Sequence, residues 1–300
     1  MADSSSFAAD LHTWKVTLAY DGTDFCGWQI QPGERTIQGE LQDALGRVTG
    51  ETPLPQGSGR TDAGVHAQAQ VASFTLRAPI PAANLQRALN RTLPESIRII
   101  DANTVPNTFH ARHSAVAKTY EYRIWVADSA CSPVCSPFLA RYVYAYPWPL
   151  DLIELESSAK HFVGEHDFLS FMATDSDLTM RNASKLDERN ADPREAHSTI
   201  RTIFSSNWKR QATEEGDLLI YRVRGNGFLH HMVRNLVGTM LDVGRGYLKS
   251  EAVPAIFAAR SRSAAGPTAP ARGLFLHSVE YEEDESTFSS RRAGDSGRTD

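Results

Sequence analysis

Apolar and polar residues alternate most cleanly at two places in this chain. Trp14, Val16, Leu18 and Tyr20 are interleaved with Lys15, Thr17 and Ala19; further on, Tyr120, Tyr122, Ile124 and Val126 are interleaved with Thr119, Glu121, Arg123 and Trp125. A period of two is that of a strand with one face buried. The first of these strands runs into Asp21-Gly22, a turn dipeptide. The period then changes. Ile37, Leu41, Ala44, Leu45 and Val48 follow a helical repeat behind Thr36, a capping residue, and Gly50 stands just past the stop.

The same reading predicts strands over 70–76, 96–100, 200–208, 218–223 and 274–281. Helices are predicted through Leu85 and Leu89, over 151–163, and from about 228 to 243, where Met232, Leu236, Met240 and Val243 form one stripe. Residues 131–137 and 146–149 read as loop because of their prolines. A strand-helix-strand rhythm recurs in each half, which predicts an α+β protein of two similar α/β lobes, 13–112 and 113–281, with mixed, mainly antiparallel sheets. Residues 174–198 are highly charged without apolar period and read as an exposed insertion. Residues 1–12 and 282–300 have little to bury and read as disordered tails.

Charge refines this picture. The formal net charge of the 300 residues is -5, which argues against a basic coat for a polyanion. The deficit lies in the tails, however: residues 280–300 hold seven acids against three arginines, and residues 1–12 add two acids. Residues 13–279 are nearly neutral, so contact with a polyanion would depend on where individual arginines stand. The three cysteines, Cys26, Cys131 and Cys135, form no disulfide framework and fit a reducing cytoplasmic compartment. No secretory signal and no apolar run long enough to span a membrane is present.

The chemically most informative stretch is 57–67, Gly-Ser-Gly-Arg-Thr-Asp-Ala-Gly-Val-His-Ala. Small residues around one Arg and one Asp let the backbone turn tightly and present a carboxylate to a bulky ligand. By itself the motif is also an ordinary turn: Ser-Gly-Arg-Thr-Asp recurs at 296–300, in the tail. The wider context decides. Asp21-Gly22-Thr23-Asp24-Phe25-Cys26-Gly27-Trp28-Gln29, residues 57–67, Phe109-His110-Ala111-Arg112-His113-Ser114-Ala115, Lys118-Thr119-Tyr120-Glu121-Tyr122-Arg123, Gly164-Glu165-His166-Asp167-Phe168, residues 227–235 and residues 269–274 occur in one order. Together they resemble the tRNA pseudouridine synthase A family over nearly all of 14–281.

The resemblance implies the pseudouridine synthase fold with a catalytic cleft between its lobes. It implies isomerisation of uridine to pseudouridine in the anticodon arm of tRNA, at nucleotides 38, 39 and 40, by a homodimer without metal or organic cofactor. Asp62 matches the catalytic aspartate, acting as nucleophile toward sugar or base or as the base of a glycal route. Arg234 matches the arginine beside it, Arg60 the residue that holds the target nucleotide out of the stack, and Tyr120 the residue that packs on the uracil. Scattered cations, Arg112, His113, Lys118, Arg123, Arg222, Arg224, Arg234 and Arg245, are expected to line an RNA surface. His230 and His231, if helical, diverge by about 100° and would not share an ion; Cys131 and Cys135 lack a second pair at zinc spacing.

Overall fold

The computed structural model describes residues 11–127, 135–173, 198–212 and 216–282. Residues 1–10 and 283–300 of the expected tails, residues 174–197 of the expected insertion, and Cys131 lie outside them. Strands β1 (His12–Tyr20), β2 (Gln56–Gly57), β3 (His66–Leu76), β4 (Ile97–Val105), β5 (Ala115–Ala127), β6 (Tyr144–Tyr146), β7 (Gly164–Asp167), β8 (Ile200–Ala212), β9 (Gly216–Gly225) and β10 (Leu274–Tyr281) form one open mixed sheet. Its order is β4-β1-β3-β10-β5-β9-β8-β7, with β2 paired to β3 and β6 to β5. The helices are α1 (Ile37–Thr49), α2 (Ala82–Thr92), α3 (Pro137–Ala140), α4 (Leu152–Lys160), α5 (Met232–Gly244) and α6 (Val253–Ala259).

The two cleanest alternations become strands paired on both sides, β1 between β4 and β3 and β5 between β10 and β9. Trp14, Val16, Leu18 and Tyr20 of β1 are buried, and they share one apolar cluster with Ile37, Leu41 and Leu45 of α1 and Leu85 and Leu89 of α2. Thr36 caps α1, accepting from the Gly39 N–H. In the second half, α5 is buried at nearly every position, and Met232, Leu236 and Met240 join the same cluster.

The halves are stitched by the last strand. β10 pairs antiparallel with β5 and, through Phe275 against His66 and Leu276 against Ala67, parallel with β3. Antiparallel pairing prevails elsewhere, apart from β5 with β6. Several boundaries differ from the sequence pattern. β1 begins at His12, inside the expected tail, and β4 runs on to Val105 because its polar residues pair along β1 to the end, Thr13 against Val105. Tyr144–Tyr146 is a strand rather than an approach to a loop, and α4 stops at Lys160. Helix α5 starts at Met232, not 228, because His231 sits in the left-handed region with φ 59.

Candidate active site

Asp62 stands in the loop between β2 and β3, and the loop is held from several sides. The Ser58 N–H donates to Val71 O, the Ser58 hydroxyl to Gln70 Oε1, and Gln70 Nε2 to Gly59 O. Thr61 Oγ1 and the Tyr20 hydroxyl are 2.8 Å apart, and the Trp28 N–H donates to Thr61 O. Burial pushes the Tyr20 phenol up to about 12, so it is neutral in this role. Two glycines allow the chain before α1 to close on the loop. A Cβ on Gly22 would lie 1.9 Å from Val65 O; one on Gly27, where φ is +86, would lie 2.6 Å from Thr61 O.

From the other half, the start of α5 meets this loop. His230 Nε2 is 3.2 Å from Asp62 Oδ1, and His231 Nε2 and Arg234 Nη1 are each 3.4 Å from Oδ2. Side-chain exposures of 13% for His230, 15% for Arg234 and 16% for Asp62 leave the carboxylate half-buried but still in reach of solvent. Arg234 cannot swing freely, because its Nε donates to Ala269 O at 2.7 Å. A guanidinium and the positive end of a helix both favour an ionised carboxylate.

Tyr120 is buried on β5 with its ring edge-on to Phe228, 5.0 Å between centroids. Burial, with Tyr20 and Asp62 adding to it, raises its phenol above the ordinary range, so it faces this site as a neutral hydroxyl. Lys118, two residues earlier and on the same face, donates from Nζ to Ser58 O at 2.5 Å. Burial and the nearby Arg112 and Arg201 push it down to about 8. Arg60 lines an adjoining groove with Arg112, Trp28, Gln29, Gln38, Gln56 and Gly57. The structure thus gathers Asp62, Arg234 and Tyr120, with Arg60 next door.

The cations expected at an RNA surface fall on more than one face of the sheet. Period-two geometry places Glu121 and Arg123 on the face of β5 opposite Tyr120, and on β9 Arg222 stands in register with Glu121 and Arg224 with Thr119. Buried Glu121 pairs with both Arg123 and Arg222 at 2.7 Å, and Arg224 pairs with Glu280. Arg245, at the far end of α5, packs over the Trp148 and Tyr247 rings, 4.0 and 4.2 Å from their centroids. Arg112, Lys118 and Arg234 are the expected cations that surround the Asp62 loop.

The histidine reading is also corrected. Residues 230 and 231 precede the helix, and the left-handed backbone of His231 folds its ring onto that of His230, 3.9 Å between centroids, instead of sending the two apart. One ring nitrogen from each imidazole and one Asp62 carboxylate oxygen fall within 4.8 Å of one another. Gln70, which holds the loop through Ser58 and Gly59, carries no sequence signal beyond being polar inside an apolar strand, and it is fully buried.

A family model described as tRNA pseudouridine synthase matches residues 17–114 and 158–282, so Arg60 and Asp62 fall in one matched stretch and His230, His231 and Arg234 in the other. The chain is similar to proteins named tRNA pseudouridine synthase A. That of Solibacter usitatus is 49% identical over 268 residues, covering 89% of this chain and 98% of its own. Those of Moorella thermoacetica and Maridesulfovibrio salexigens are 43% and 41% identical, covering 89% and 90% of this chain and 98% and 90% of theirs. With the motifs, the half-buried carboxylate site and these matches in agreement, this chain belongs to the tRNA pseudouridine synthase family.

Proposed function

We propose that the protein isomerises uridine to pseudouridine at nucleotides 38, 39 and 40 of the tRNA anticodon arm, with Asp62 as its catalytic carboxylate. The observation that carries this reading is the meeting of Asp62 with Arg234 across 172 residues of sequence, in a site walled by Tyr120. The C1′–N1 bond breaks, C5 joins C1′, and the proton leaving C5 is balanced by one gained at N1. An ionised carboxylate serves each route open to Asp62, since it attacks an electron-poor carbon, offsets positive charge at C1′, or removes a proton.

Arg234 sets a guanidinium 3.4 Å from Asp62 Oδ2, and Tyr120 packs on the uracil as a neutral hydroxyl able to donate or accept. Arg60, at the edge of its groove, fills the stack when the nucleotide is extruded, a step costing a few kcal/mol that a planar guanidinium offsets by stacking and phosphate contact. The reaction needs no metal or organic cofactor, and the active species is a homodimer, as the family resemblance implies. No helix among the described residues is long and apolar enough to cross a membrane. Incubation with unmodified tRNA in the presence of chelator, followed by mapping of pseudouridine, tests the assignment. Modification at 38–40, abolished by Asp62→Asn with tRNA binding retained, is expected; turnover surviving in Asp62→Asn overturns the role of Asp62.

A further inference from the structure

Three ligand-type atoms converge at the active site in a way the isomerisation does not require. The two imidazole Nε2 atoms approach the Asp62 carboxylate at 3.2 and 3.4 Å, and all three groups lie within 4.8 Å of one another. A zinc-type ion binds imidazole nitrogen and carboxylate oxygen at about 2.0–2.2 Å, which sets neighbouring tetrahedral ligands roughly 3.3 Å apart. The two nitrogen-to-oxygen distances, 3.2 and 3.4 Å, match that separation, and the third stays within 4.8 Å. Two imidazoles and one carboxylate also form a donor set that prefers zinc-type ions to magnesium, which takes oxygen ligands and sheds water reluctantly.

We propose that Asp62, His230 and His231 form a three-ligand site for a zinc-type divalent cation, and that its occupation switches the enzyme off. The cation takes the carboxylate lone pairs that the uridine needs. The trio is built by the backbone: the left-handed turn at His231 aligns two adjacent rings, and the loop between β2 and β3 brings the carboxylate to them.

Two features set the strength of the site. Arg234 Nη1, 3.4 Å from Oδ2, repels a cation, and His230 Nδ1, buried and without a hydrogen-bond partner among the described residues, must carry the imidazole proton when Nε2 binds metal. Both weaken binding, which makes the ion a reversible inhibitor that tRNA displaces rather than a resident group. The inhibitory half rests on the proposed role of Asp62; the binding half does not.

The test uses full-length protein freed of metal by chelator. Titration with Co2+ is expected to give the visible absorption of a four-coordinate ion with one equivalent bound, displaced by Zn2+ and by tRNA but not by Mg2+. His230→Gln, His231→Gln and Asp62→Asn should each weaken Co2+ binding at least about tenfold, the low end of what even outer partners of a metal site contribute. His113→Gln, which alters the surface pair His110 and His113, should leave it unchanged. Zn2+ should inhibit pseudouridine formation and chelator should restore it. Absence of the Co2+ band, or binding that survives all three substitutions, overturns the site; binding without inhibition overturns the switch. Failure of the metal-free protein to modify tRNA would count against the proposed function alone.

Discussion

Gly22→Ala separates the geometry of the Asp62 loop from its proposed chemistry, because the substitution adds one methyl group and touches neither Asp62 nor Arg234. Gly22 does not occupy the left-handed region, so alanine meets no conformational penalty and its cost is steric. The new Cβ would lie 1.9 Å from Val65 O, where ordinary contact begins at 3.4 Å, so the two backbones must part by about 1.5 Å. Val65 is tied to the loop, its N–H donating to Asp62 O at 3.1 Å, whereas Arg234 is anchored separately on Ala269 O. The displacement therefore moves Asp62 relative to Arg234 instead of carrying both together. A misplacement of about 1 Å in a reacting group lowers turnover by roughly 10²-fold, and overpacking of this kind costs about 1–3 kcal/mol of stability. The rate is read as tritium released from C5 of labelled uridine in tRNA, in single turnover with saturating enzyme, alongside a thermal melt. Turnover equal to wild type in a folded variant, or a loss no larger than the unfolded fraction accounts for, refutes the claim that the Gly22 contact positions Asp62.

Other consequences are testable in the same preparations. Glu121→Gln removes a buried carboxylate that Arg123 and Arg222 hold in its ionised form against the cost of burial; because Arg222 is half-exposed the loss should be about 2 kcal/mol, less than for a fully buried pair. Calorimetry should show a melting point lower by roughly 5 °C with turnover per folded molecule retained, since the pair lies on the face away from Asp62. Burial holds His66 below its ordinary range while it bridges the Gly22 N–H and the carbonyls of Arg141 and Arg272. Below the ordinary 6.5 the unfolded chain takes a proton that the folded imidazole refuses, so stability should fall as pH drops from that value, and His66→Gln should flatten the slope in urea melts. Lys118 is pushed down to about 8 against an ordinary 10.5, so the folded state releases its proton first; wild type should gain stability relative to Lys118→Met as pH rises from about 8 toward 10.5. A difference that stays constant over that interval rules the burial argument out.

What was readable from the chain alone was whatever repeats locally. The period-two runs at 14–20 and 118–126 and the helical stripe behind Thr36 depend on which side chains neighbour one another along the backbone, and the structure places β1, β5 and α1 there. Asp62, Arg60, Tyr120 and Arg234 were legible as a motif set, because small residues around a lone carboxylate and an ordered series of blocks are properties of sequence. The single sheet was not legible. It depends on β10, the last strand, entering beside β3 through Phe275 and His66, a pairing between residues more than two hundred positions apart that leaves no local period. The cations could not be sorted either: Arg123 and Lys118 look alike in sequence, yet the pleat of β5 sends one to Glu121 on the far face and the other to the loop that carries Asp62. The histidine pair shows the limit most sharply. Read as helix, His230 and His231 diverge; the left-handed turn that starts α5 one residue later stacks them together against Asp62. Local alternation determined the elements of this protein, whereas the chemistry of its site was decided by where distant backbones meet, because only there do charges and ring nitrogens come within reach of one carboxylate.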